Sequence, residues 1–282
     1  MIRGLYIGAS GMVAEWNRLD AVSNNLANTD LTGYKRDTVV FKAFPELLMR
    51  RMDDDGVKRI PMGSIDIAPI VGRLGTGVET NEVFTEFTQG AFKETGSDFD
   101  FALEGEGFFT VLTPDGERYT RNGSFVLGPE SLLVTKEGYP VLGENGPIKV
   151  KENNFVVDQY GNVFVNRRFL PNDQRLVSRS ENEWDQTEKL DTLKIVRFQR
   201  PRYLRKQGSS LWKDTEESGP ALVVERNRRP KVHQGFLEAS NVNPVTEMVR
   251  MIEVNRAYEA NQKSIQTHDT LLGRLLNEVL RA

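Results

Sequence analysis

No cysteine occurs among the 282 residues, so disulfides, thiolate metal sites and a cysteine nucleophile are all excluded. Histidine is nearly as scarce. His233 and His268 are the only two, and neither forms an HExxH or HxH pair. Long apolar runs are missing as well, since no stretch approaches the roughly 18 residues of a membrane span. The opening "MIRGLYIGASGMVAEW" carries one basic residue, Arg3, and its apolar run is broken by glycines and meets Glu15, so it lacks a proper h-region. A chain of this kind that leaves the cytoplasm is expected to do so without a cleaved Sec-type signal. An excess of one charge is also lacking: 37 basic against 40 acidic residues give a net charge of -3, which calls for neither nucleic acid nor membrane insertion. The apolar fraction of 38% is low, yet a chain this long can bury about 75% of its unfolded surface.

What is present is periodic at both ends. Leu5, Ala9, Met12, Trp16, Leu19, Ser23 and Leu26 alternate in steps of four and three, which places them on one seam of a helix. Met251, Val254, Tyr258, Asn261, Ile265, His268, Leu272, Leu275 and Val279 keep the same alternation, with two polar positions. Asn243 and Pro244 supply a cap and a first helical residue that needs no N–H, predicting a helix from about 244 to 280. Between the seams, from about 72 to 224, the pattern is strand and turn. "GFFTVLTPDGERYTRNGSFVL", "LLVTKEGYPVLG", "NFVVDQYGNVFVN" and "LKIVRFQRP" are β-branched and aromatic runs broken at Asp115-Gly116, Asn122-Gly123 and Gly161-Asn162.

The fold class expected is therefore α+β, with N- and C-terminal helices pairing as a coiled-coil-like α domain around a central all-β domain. Residues 1–48 are assigned to the N-terminal helix and an Asn-rich turn, 49–71 to a charged connector, 72–235 to the β domain with a polar insertion at 171–191, and 236–282 to the C-terminal helix.

Motifs for chemistry are few. Asp98, Asp100, Glu104 and Glu106 alternate with apolar residues and read as the solvent side of a strand rather than as paired catalytic carboxylates. Asp53, Asp54 and Asp55 lack the ligand spacing of a calcium loop. Gly75-Thr76-Gly77 belongs to no phosphate-binding pattern, no GxSxG is present, and the arginines at 200, 202, 205, 226, 228 and 229 are balanced by Glu216, Glu217 and Glu225. No cofactor and no enzymatic activity are expected.

Two asparagine-rich stretches remain, "SNNLANTDLTGYKRD" and "EASNVNPVTEMVRMIEVNRAYEANQKSIQTHDTLLG". The first closely resembles the N-terminal signature of the flagellar rod and hook axial proteins, the second their C-terminal signature, and "LEGEGFFTVLTPDGERYTRNGSFVL" their middle domain. The resemblance implies an α domain lining a hollow tube with the β domain outside it. It also implies export by the flagellar type III apparatus, placement in the periplasmic rod of the basal body, helical self-association, other rod and hook axial proteins as partners, and a mechanical role in carrying torque from motor to hook. Under that resemblance the assembly contacts are Leu5, Met12, Trp16, Leu19, Asn24, Asn25, Leu26, Asn28, Gly33, Tyr34, Asn241, Asn243, Met251, Arg256, Tyr258, Asn261, Ile265 and Leu272, although Asn28 and Asn243 equally suit caps of their own helices. Within the family, "MIRGLYIGASGM" and the 171–191 insertion favour a proximal-rod subunit over a distal one. A secreted cell-wall-remodelling enzyme and a soluble β-domain binding module are the readings of other classes. Both termini are expected to be disordered before assembly, because a lone seam exposes apolar side chains.

Overall fold

The structure, a computed structural model, describes residues 2–50, 57–60, 63–66, 70–152, 154–166, 187–208, 210–224 and 229–279. It is α+β, with one long helix at each end of the chain and strands between them. Helix α1 (Ile2–Ala27) follows the first periodic stretch. It ends by tightening: the Asn28 N–H reaches the Asn25 carbonyl at 3.3 Å, and the Thr29 hydroxyl caps the Leu26 carbonyl at 2.7 Å. Helix α2 (Pro244–Val279) starts on the proline, whose missing N–H would have had no helical partner. Its first turn carries Glu247, an acid suited to the positive end of the helix dipole, held by Arg250 Nη1 at 2.7 Å.

The chain divides into two units, each discontinuous in sequence. The first gathers residues 1–24, 37–84 and 245–282. Its strands form three nested pairs, Asp37–Ala43 with Val78–Thr85, Leu47–Arg50 with Ile70–Leu74, and Val57–Ile60 with Gly63–Asp66. A β-ribbon results, built in part on "DTVVFKA", whose β-branched and aromatic side chains favour extended backbone. Strands thus stand inside the 49–71 stretch that composition marked as a connector, because short runs such as "VKRI" and "GSID" pair with one another, which charge content does not reveal. Residues 51–56, 61–62 and 67–69 of that stretch lie outside the described residues.

In the same unit α1 turns its glycines toward α2. A Cβ on Gly4 would lie 2.6 Å from His268 Nε2, on Gly8 2.8 Å from Ile265 Cγ1, and on Gly11 2.9 Å from Asn261 Nδ2. Trp16 and Tyr258 follow with ring centroids 6.4 Å apart. The closest approach thus runs along glycines one position before Leu5, Ala9 and Met12, where the backbone itself can touch the partner's side chains.

The second unit comprises residues 25–36 and 85–244. Its main sheet has six strands in the order Arg205–Lys206, Leu211–Lys213, Gly116–Thr120, Phe108–Thr113, Ile195–Arg197, Leu222–Val223. The central hairpin turns at Pro114-Asp115, with Gly116 at a φ of 108° that L residues resist. Both sheet faces are covered. Phe109, Val111 and Ile195 pack with Phe101, Phe125 and Val163, while Phe108, Tyr119, Val196 and Trp212 form a second cluster on the opposite face. Burial on both faces explains why Phe108 and Phe109 are both apolar and buried instead of alternating with a solvated residue. It also corrects part of the reading of "DFDFALEGEG": Phe101, Ala102 and Leu103 are buried in succession and Asp100 is buried beside them, whereas Glu104 and Glu106 are exposed as expected. Residues 167–186, most of the 171–191 insertion, lie outside the described residues, and the strand Glu188–Thr192 follows them.

Candidate functional site

The two asparagine-rich stretches meet in the second unit. After α1 the chain turns through Gly33, whose φ of +67° and buried position leave no room for a side chain; a Cβ there would sit 2.6 Å from the Arg121 carbonyl carbon. The Gly33 N–H donates to the Glu238 carbonyl at 2.7 Å, binding the turn to the last strand before α2. Tyr34 is buried, its hydroxyl donates to Asn25 Oδ1 at 3.1 Å, and the Lys206 ammonium stands 4.5 Å from the centre of its ring.

Lys35 comes next, and its side chain has no exposed surface. Its ammonium donates to Glu238 Oε1 at 2.5 Å and to the Thr88 carbonyl at 2.8 Å. Glu238 is equally buried. Its Oε1 also accepts the Gly90 N–H at 3.0 Å, and its Oε2 lies 3.3 Å from Arg121 Nη1. Arg121 completes the cluster by donating from Nη2 to the Gly105 carbonyl at 2.6 Å and covering the Phe108 ring. Burial pushes the Lys35 pKa down, and the facing Glu238 carboxylate works against that shift. Arg121 is pushed down by burial in the same way, again with Glu238 opposing.

A second layer surrounds this cluster. Both Arg36 Nη2 contacts to the Glu86 carboxylate are 2.8 Å, and the Arg36 N–H donates to Asn241 Oδ1 at 2.8 Å. Asn241 Nδ2 then reaches the Glu86 carbonyl at 2.9 Å and the Thr88 hydroxyl at 2.8 Å. An asparagine suits this place because its amide offers a donor and an acceptor to two backbone segments at once.

The residues singled out from the sequence therefore separate into two groups. Asn25, Gly33, Tyr34 and Asn241 come together here, three of them buried. Leu26 and Asn28 sit half-buried at the end of α1, and Asn24 and Asn243 are exposed at the helix ends. Leu5, Met12, Leu19, Met251, Tyr258, Asn261, Ile265 and Leu272 are half-buried on the helices, whereas Trp16 and Arg256 are exposed. Lys35, Arg121 and Glu238, the most deeply placed charges of the site, escape a reading of the sequence. In "GYKR", "RYTRNG" and "FLEAS" they stand among residues that equally suit a surface, and only Glu238 follows an apolar pair that hints at burial.

Two of the other acidic groups noted in the sequence are engaged in structural contacts. Asp100 accepts the Thr95 hydroxyl at 2.6 Å. Glu104 meets His233 Nε2 at 2.9 Å and Lys231 at 3.6 Å, and the hydrogen bond with His233 holds its carboxyl below the usual range. Among the described residues, no group of three His, Cys, Asp or Glu could hold a metal ion, and no helix is long and apolar enough to cross a membrane.

This arrangement ties two remote stretches of the chain together, and comparison with known proteins gives the family. Residues 5–35 match the family model described as flagella basal body rod protein, 102–165 that of the flagellar hook protein FlgE/F/G D1 domain, and 233–278 that of the flagellar basal body rod FlgEFG protein C-terminal. The flagellar basal-body rod protein FlgG of Borreliella burgdorferi is 33% identical, covering 97% of each chain. FlgF of Caulobacter vibrioides is 33% identical over 93% of this chain and 92% of its own. The flagellar hook-basal body complex protein FlhO of Bacillus subtilis is 30% identical over 99% of both. With all three signature regions matched in order and relatives aligned over nearly the full length, the chain belongs to the flagellar basal-body rod protein family.

Proposed function

We propose that this chain is a structural subunit of the flagellar rod, carrying torque rather than performing chemistry. The observation that carries the reading is the apolar surface its helices leave uncovered. Tyr6, Val13 and Trp16 on α1 and Val245, Met248, Val249 and Ile252 on α2 are each at least half exposed. The α2 residues share one helix face by their spacing, and contiguous apolar surface of this kind marks an interaction site. Neighbouring subunits and other rod and hook axial proteins are the partners that cover it.

In this reading the two helices pair as a coiled-coil-like α domain, subunits repeat in a heterologous helical tube within the periplasm, and the chain reaches that place through the flagellar type III apparatus. The seam residues Leu5, Met12, Trp16, Leu19, Met251, Tyr258, Asn261, Ile265 and Leu272, with Arg256, serve the tube, while Asn25, Gly33, Tyr34 and Asn241 shape the subunit that enters it. The proximal rod is favoured by the departures at 1–12 and 171–191. Relatives named FlgG and FlgF stand at the same 33% identity, so cross-linking from position 252 to identified neighbours decides the place along the rod.

Deletion of residues 244–282 tests the function. The truncated chain is expected to be absent from purified basal bodies and to leave cells non-motile, while its second unit stays protected from protease. Normal motility with the truncated chain would refute the rod role.

A further inference from the structure

Closing the second unit requires residues from three remote places. Lys35 arrives just after α1, Arg121 after the Gly116–Thr120 strand, and Glu238 from the Phe236–Glu238 strand, 203 positions beyond Lys35. Charge at the meeting point is unbalanced: one buried carboxylate contacts two cations, the exposed Glu106 only pulls on Arg121 through space, and none of the three side chains in contact exceeds 4% exposure. Without Glu238, Lys35 and Arg121 keep only the carbonyls of Thr88 and Gly105 as acceptors, and two like charges face each other out of water. Burying them is unfavourable until the carboxylate is seated. The backbone repeats the dependence, because the N–H groups of Gly33 and Gly90 both end on Glu238.

We propose that the Lys35–Glu238–Arg121 cluster is a closure lock. The second unit reaches its stable state only when residues 33–36 and the Phe236–Glu238 strand are both in place, and a chain whose last strand has not yet arrived lacks the lock and stays open. Asn241 then holds the closed form, since it joins the same two stretches one residue beyond Lys35 and three beyond Glu238, and the Arg36–Glu86 pair ties the first stretch to residue 86. For a chain delivered N-terminus first, folding waits for its final sixth. That last consequence rests on the export proposed above, whereas the lock itself does not.

Hydrogen exchange on the full-length protein and its Glu238→Gln variant tests the lock. The reporters are the amides of Gly33 and Gly90, which end on Glu238, and those of the Phe108–Thr113 strand in the core. The expected result is acceleration of all of them by a common factor, on the order of 100-fold or more, because loss of the carboxylate raises the population of the fully open unit. Acceleration confined to Gly33 and Gly90, with the core strand unchanged, would overturn the proposal by showing a local contact. Should Glu238→Gln not yield folded protein, Glu238→Asp, which keeps the charge but shortens its reach, is read the same way with a smaller common factor expected. Neither measurement depends on incorporation into a rod, so a failed lock leaves the rod role standing, and unimpaired motility of the truncated chain leaves the exchange result standing.

Discussion

Substituting alanine at two glycines of like conformation separates backbone strain from steric contact. Gly33 and Gly235 both have positive φ, +67° and +84°. An L residue in that region costs about 1–2 kcal/mol at either position. Around Gly235 a Cβ would meet nothing within 4 Å. At Gly33 it would meet the Arg121 carbonyl carbon and the Asn122 nitrogen at 2.6 Å and the Arg121 oxygen at 2.7 Å. All three are backbone atoms, so no rotamer change relieves the overlap, and the local shift adds about 1–3 kcal/mol. Moving Gly33 also strains its hydrogen bond to Glu238, a contribution of about 1 kcal/mol. Gly33→Ala should therefore cost about 3–6 kcal/mol and Gly235→Ala about 1–2 kcal/mol. Urea unfolding followed through the buried Trp212, with Trp16 and Trp184 replaced by phenylalanine, reports on the second unit alone. With a slope of roughly 1–3 kcal/mol per molar, the Gly33 midpoint should fall on the order of 1 M further than the Gly235 midpoint. Equal falls would refute the claim that the turn is pressed against the strand end.

Further tests follow from the helices and from one tyrosine. Gly→Ala within a helix ordinarily stabilises by about 1 kcal/mol, and at Gly273, where a Cβ has open space, slower exchange of α2 amides is the expected outcome. At Gly8 the gain should vanish against Ile265 Cγ1, and its return in an Ile265→Ala background, which lacks that atom, would confirm that contact as the cause. Burial raises the Tyr119 phenol to about 12, with Asp214 and Glu117 adding to the shift. The folded state then keeps a proton that the unfolded chain releases near 10, so the unit loses stability as pH rises from about 10 to about 12. Tyr119→Phe should move alkaline unfolding of the second unit upward, as followed by circular dichroism; an unchanged midpoint would argue against Tyr119 as the group responsible.

Both helices were legible because burial on one side writes a seam into the sequence, and Pro244 marks the start of α2 directly. The central β region was legible from its turns. The strands Val57–Ile60 and Gly63–Asp66 were harder to see because they are short and lie in charged sequence, and pairing between them is a property of two segments rather than of either alone. The site divides along the same line. Asparagines and the Gly-Tyr-Lys turn stand out by type, but nothing local distinguishes a buried Lys35 from a solvated one. Its partner lies 203 residues away, and a charge is made tolerable in a core by that partner rather than by its own neighbours in the chain.

The two polar interruptions in the seam of α2 have a physical reading once the facing residues are known. Asn261 and His268 approach Gly11 and Gly4, and Ile265 between them approaches Gly8. A seam built to bury large side chains against large side chains has no place for an amide and an imidazole. Against a glycine stripe the facing surface is helix backbone, so a polar side chain there gives up less apolar contact than it would against leucine. The polar positions on one helix and the glycines on the other are thus two halves of one pattern, set by how closely the helices approach. Their shared offset from Leu5 and Met12 also leaves apolar residues of α1 available for other subunits. Enlarging a glycine therefore disturbs packing within the chain, whereas changing Val13 or Ile252, both more than half exposed, should leave the subunit folded and impair its incorporation into basal bodies.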